Sequence, residues 1–343
     1  MKYDFDSDDR LDPRIKRVLV RFPEVIAVDV ENRDQLLAEA ASPEGLRAAE
    51  MANSFLDRSD NEEVAPSTGL LFSTVDVVSA PDGNIIKLQI VRPEGVRDLA
   101  CVYYIHGGKM ATLSSFLGNY KAWARILASK GVAVVMVEFR NAVAPSAVPE
   151  TAPFPGGLND CASGLAWIVA HAEELSIDRS RVVVAGESGG GNLTLALALK
   201  LKGEGNLGTI KGLYAMCPSL TGLLPDPRFP SSTENNGILL NMHSNRGVMG
   251  YGIEAFQNRN PMAWPGFAKK EDLVGFPPTV ISVNECDPLR DEGIAFYRLL
   301  LSAGVAARGR MVLGTAHGTE VIPTLCPDVS HSTAIDIAAF AGA

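Results

Sequence analysis

The feature that most constrains this chain is a succession of short, mostly apolar runs separated by stretches of helix length. Residues 100–105, 132–139, 181–185, 210–217, 279–283 and 308–313 read as strands. Between them, residues 120–130, 157–174, 192–202 and 292–303 carry helical patterning, and residues 332–340 close the chain as a helix. Nearly uniform apolar strands that alternate with helices predict a parallel sheet covered on both faces, an α/β class fold. Two further β-rich runs, 70–78 and 84–91, flank the turn Pro81-Asp82-Gly83 and predict a hairpin ahead of the parallel strands. The first sixty residues look helical instead, with one amphipathic helix expected over 34–53. Residues 218–276 break the rhythm and hold Pro225, Pro227, Pro230, Pro261 and Pro265. That is far beyond the usual connection of about 4–6 residues, so the segment is read as an insertion folded over the sheet. The expected division is 1–60 and 218–276 as a cap, with 61–217 and 277–343 as the core.

Composition narrows the classes. Of 343 residues, 46% are hydrophobic and 21% charged, which excludes a chain disordered throughout. The net charge of −9 would be repelled by a nucleic-acid backbone. No apolar run approaches the roughly 20 residues of a spanning helix. The aspartate-rich start does not read as a secretory signal. Five scattered cysteines without C-x-x-C spacing argue against a disulfide scaffold or a zinc ribbon. A cytoplasmic protein, with neither nucleic acid nor membrane as partner, is the expectation.

The chemistry centres on Ser188. The strand 181–185 runs into Gly186-Glu187-Ser188-Gly189-Gly190 and then into a helix. G-x-S-x-G alone is a modest signal, with roughly 0.2 chance matches expected in a chain of this composition. Its position at a strand-to-helix turn gives it meaning: the hydroxyl projects above the sheet, and the helix start offers free N–H groups to an anion formed there. Neither G-K-[ST] nor G-x-G-x-x-G accompanies it, so a nucleotide loop is disfavoured.

One strand–helix–strand unit earlier, residues 100–105 end in His106-Gly107-Gly108-Lys109. Acyl transfer builds negative charge on a carbonyl oxygen, and pre-aimed N–H donors stabilise it. Gly189 would supply one donor, and Gly107, Gly108 and the Lys109 backbone the others. His106 reads as a brace for the loop. The strand 279–283 leads to Glu285, Asp287, Asp291 and Glu292. Asp287 is placed best, with Glu285 in reserve and Asp291 and Glu292 in the first turn of the next helix. His317 follows the next strand in a small-residue loop, whereas His331 is expected to open the last helix. The order Ser188, Asp287, His317 is that of a nucleophile, an orienting acid and a general base on an open α/β sheet, and it calls for no metal or organic cofactor.

Together these residues resemble the hormone-sensitive-lipase-like, or bacterial family IV, carboxylesterases of the α/β-hydrolase fold. The resemblance rests on His106-Gly107-Gly108, on Pro153-Phe154-Pro155 with Asn159-Asp160-Cys161, and on Ile177-Asp178-Arg179-Ser180-Arg181. It continues through Gly186 to Asn192, through Asp287 to Glu292, and through His317-Gly318. It implies a mostly parallel sheet of about eight strands under a helical cap. It implies Ser188, Asp287 and His317 as a triad, Gly107, Gly108 and Gly189 as oxyanion donors, and a small-molecule ester of short to medium acyl or aryl type as substrate. Members often dimerise through a sheet edge, so a homodimer is also expected. Three departures stand out: Lys109 replaces the last glycine of H-G-G-G, Glu187 and Gly189 alter the usual G-D-S-A-G, and Thr319 replaces an aromatic. The same constellation also serves amide, carbamate and lactone cleavage. Non-catalytic binding relatives on this fold typically lack the base.

Overall fold

The computed structural model describes residues 3–5, 7–21 and 28–342. One eight-stranded sheet runs through it. In chain order the strands are β1 (Leu70–Val78), β2 (Ile85–Pro93), β3 (Leu99–Ile105), β4 (Ala133–Glu138), β5 (Ile177–Glu187), β6 (Gly212–Met216), β7 (Thr279–Cys286) and β8 (Ala307–Ala316). In space they lie β1-β2-β4-β3-β5-β6-β7-β8. β1 and β2 form the expected antiparallel hairpin, β2 pairs antiparallel with β4, and the remaining pairs are parallel.

Alternation along each central strand splits the core in two. On β3, Cys101, Tyr103 and Ile105 face one side, with Leu158, Leu165, Leu193, Leu197 and Phe296. These belong to α5 (Gly156–Ala170), α6 (Gly189–Gly203) and α11 (Arg290–Ser302). Val102 and Tyr104 face the other side, with Trp123, Leu127 and Ile337 of α4 (Gly118–Ala128) and α12 (Pro327–Gly342). Burial on both faces is why these strands are apolar without alternation. No described helix is long and apolar enough to cross a membrane.

The N-terminal helices are α1 (Pro13–Leu19), α2 (Arg33–Ala41) and α3 (Pro43–Asp57). The single helix expected over 34–53 is therefore two. Ser42 precedes a proline, which disfavours helical backbone, and it sits extended at φ −68°, ψ 155°. Its hydroxyl then caps the second helix by accepting the Gly45 N–H. Residues 218–276 hold only short helices: α7 (Ser231–Glu234), α8 (Arg246–Tyr251), α9 (Ile253–Gln257) and α10 (Lys270–Leu273). This stretch meets the N-terminal helices in space. Leu36 of α2 packs on Gly250, the Asn245 amide bonds both N–H and C=O of Val30, and Arg246 pairs with Glu39. The final helix starts at Pro327 rather than near 332, so His331 lies within it and faces Lys130 Nζ at 3.3 Å instead of opening the helix.

Candidate active site

Register brings the chemistry to one edge. Glu187 pairs with Met216, Met216 with Ser282, and Cys286 with Ala316, so the carboxyl ends of β5 to β8 lie side by side. The first residue past each strand is Ser188, Cys217, Asp287 and His317 in turn. Open α/β sheets bind ligands at this end.

Ser188 holds φ 59°, ψ −118°, a conformation that costs an L-residue on the order of 1–3 kcal/mol. Its surroundings impose it. Its N–H donates to Met216 O at 2.9 Å, and its C=O accepts from Asn192 at 3.0 Å and Ser219 at 3.1 Å. The glycines allow β3 to press against the turn: a Cβ on Gly190 would sit 1.9 Å from Ile105 O, and one on Gly186 2.6 Å from the same atom. The Ser188 side chain stands at the N-terminus of α6 and makes no hydrogen bond among the described residues.

Asp287 is fully buried, and its Oδ2 lies 2.7 Å from His317 Nδ1. Its other oxygen accepts the Leu289 N–H at 2.9 Å. The other three carboxylates of this segment are engaged elsewhere. Glu285 accepts from Gly314, Asp291 from Ser231 and Arg290, and Glu292 from Leu220 and Thr221. Asn284 braces the loop that carries His317: its amide donates to Thr315 and Glu320, and its oxygen accepts weakly from the Gly318 N–H. Burial pulls the imidazole pKa down, but the Asp287 carboxylate and Cys217 outweigh it and leave it well above the usual histidine value. Donor atoms of Cys217, Asp287 and His317 lie within 4.8 Å of one another, a metal-like grouping. The 2.7 Å between two of them is a hydrogen bond. Ligands bonded to one ion at about 2.0–2.2 Å in tetrahedral geometry stand farther apart than that.

The glycine loop after β3 differs from expectation at one donor. The Gly107 N–H donates to Glu187 Oε1 at 2.6 Å, so it is taken and not free to meet an oxyanion. The backbone N–H groups of Gly108, Lys109 and Gly189 have no acceptor among the described residues. They lie together: a Cβ on Gly189 would fall 2.5 Å from Met110 N and 2.9 Å from Lys109 N. Gly108, Lys109 and Met110 all have left-handed backbone, at φ 89°, 58° and 56°.

Against known proteins, residues 102–321 match the family described as the alpha/beta hydrolase fold. Carboxylesterase NlhH of Mycobacterium tuberculosis is 30% identical over 270 residues, 74% of this chain and 77% of its own. The chain belongs to the hormone-sensitive-lipase-like esterases of the α/β-hydrolase fold. Among solved structures, esterase Est22 is 58% identical with a TM-score of 0.96, covering 99% of both chains. Brefeldin A esterase, described as a bacterial homologue of human hormone-sensitive lipase, is 34% identical with a TM-score of 0.85, covering 98% of this chain and 94% of its own.

In this esterase, sequence reasoning missed Glu187 as more than a spacer. Its buried carboxylate accepts from the hydroxyls of Tyr104 and Tyr120 at 2.5 Å each, besides Gly107. Burial outweighs these bonds and raises its pKa to about 7. The only sequence signal was a charged residue inside an otherwise apolar turn. Cys217 was also missed as a site neighbour: it leaves β6 at φ 35°, and burial raises its thiol to about 11. His106 does brace the loop, bonding Gly107 O at 3.0 Å and stacking on Phe139.

Proposed function

We propose that this chain hydrolyses short- to medium-chain acyl or aryl esters through Ser188, His317 and Asp287 and a covalent acyl-enzyme. The observation that carries the reading is the buried 2.7 Å pair between Asp287 and His317, at the strand end that also carries the strained Ser188 turn. His317 takes the Ser188 proton as the hydroxyl attacks the ester carbonyl, then returns it to the leaving alcohol. Asp287 fixes the tautomer and stabilises the imidazolium. The oxyanion meets the free N–H groups of Gly108, Lys109 and Gly189. Water, activated by the same imidazole, releases the acid. Ser188 Oγ makes no hydrogen bond among the described residues, and in resting enzymes catalytic hydrogen bonds often tighten only when substrate binds.

Esterase Est22 has been solved with p-nitrophenol, and also as a mutant S188A that carries the number of the serine here. p-Nitrophenyl esters are therefore the first substrates to try. Ser188→Ala is expected to abolish release of p-nitrophenol from the butyrate ester while leaving the circular-dichroism melt unchanged. Full turnover in that variant would refute the assignment. A panel of rising acyl length with one p-nitroanilide separates esterase from amidase preference. We also read residues 1–60 and 218–276 as one cap, and the exposed edge of β8, with Leu313 70% exposed, as a self-association edge.

A further inference from the structure

Lys109 stands where the family has glycine, in a left-handed conformation that an L side chain adopts only at a cost. Its side chain is partly buried, and its ammonium makes no hydrogen bond or ion pair with any described residue. The charge that acts on it is a like one. Burial and Arg246 of α8 together hold its pKa below the ordinary lysine value. A third cation is close by. Arg33 of α2 donates to Ala142 O at 2.6 Å, and the Ala142 N–H donates to Met110 O. None of the nearby carboxylates bonds Lys109: Glu39 pairs with Arg246 and balances that charge, Asp29 accepts the Asn245 N–H, and Asp34 is exposed to water. The Lys109 ammonium is thus left without a counter-charge among the described residues, and Arg33, held by a backbone carbonyl rather than a carboxylate, adds to the positive excess. A neutral ester needs none of it, and glycine would hold the loop with less strain.

We propose that Lys109 is an anion subsite of this active site, and that the preferred substrate carries a carboxylate in addition to its ester. This rests on the esterase reading above. The flexible four-carbon stem places the ammonium some way from the loop N–H groups. The carboxylate is therefore remote from the scissile carbonyl, at the far end of the acyl chain or across an aryl alcohol.

Two matched pairs test this, each rate taken over spontaneous hydrolysis. One pair is p-nitrophenyl hexanoate against mono-p-nitrophenyl adipate, for an acyl-side carboxylate. The other is the methyl ester of p-acetoxybenzoate against p-acetoxybenzoate itself, for an alcohol-side carboxylate. In one pair the wild type should favour the anionic member, by a ratio of kcat/KM that falls as salt rises. Lys109→Gly keeps the backbone N–H and relieves the left-handed strain, so it should fold. It should cut that ratio about ten-fold, through KM, while Lys109→Arg retains most of it. The pair that responds identifies the side that bears the carboxylate. If neutral esters are hydrolysed and neither ratio moves in Lys109→Gly, the proposal is overturned alone. If the wild type hydrolyses no ester, the esterase reading falls and takes this one with it.

Discussion

At the scale of single residues, four carboxylates stand within eight positions at the end of β7 and just past it, and hydrogen bonding distinguishes them. Asp287 alone among them bonds an imidazole, whereas Asp291 spends itself on Ser231 and Arg290. Asp287→Asn should lower kcat by roughly three to four orders of magnitude, and Asp291→Asn by far less. The sign of the pH effect follows from the same contact. His317 acts as a base only when neutral, and its raised pKa sets the acid limb of kcat/KM above pH 6.5. Removal of the Asp287 charge should slide that limb downward, as a pH–rate profile of the residual activity would show. Glu187 acts at one remove, by fixing Gly107 and with it the turn of the loop. Glu187→Gln keeps the size but replaces one acceptor oxygen with an amide donor. The expected result is a fall in kcat of about ten-fold or more with little change in KM. A weaker grip on a boronate transition-state analogue should accompany it, which a merely structural residue would not cause.

At the scale of elements, the strand–turn–helix from β5 to α6 is legible in sequence because its demands are local. Two glycines, a serine and a following helical pattern specify a sharp turn whatever lies around it. What the local pattern leaves out is the reason for each glycine. Gly190 is fixed by Ile105 O of the neighbouring strand, backbone against backbone, so nothing there can give way. Gly190→Ala should lower stability by about 3 kcal/mol or prevent folding, read as a shift of the urea unfolding midpoint. The loop after β3 shows the opposite case. Its sequence announces donors without saying which are free. Glu187, eighty positions along the chain, takes the Gly107 N–H and leaves the next two. The N-terminal helix pair teaches a smaller lesson: apolar spacing carried the expected helix through Ser42, while the following proline required the break seen there.

At the scale of the whole molecule, surplus length beyond the sheet comes from two separate stretches, one ahead of β1 and one between β6 and β7. α2 and α8 are separated by about two hundred positions yet meet over Gly250, Asn245 and Arg246. The sheet also has a free edge at β8, where Met311 and Leu313 face outward at 44% and 70% exposure. A long apolar edge in solution tends to pair. Light scattering should give about twice the 36.5 kDa of one chain, and Leu313→Lys should return it to one. By itself the sequence determined the class of sheet, the order of its strands along the chain, and which serine, aspartate and histidine types stood at which strand ends. Those depend on periodicity and turn chemistry, which act over a few residues. Only the tertiary structure decided that Asp287 meets His317, that Gly107 is committed to Glu187, and that Lys109 shares its surroundings with Arg246. These are pairings across register and between distant segments, and burial at such contacts sets their strength.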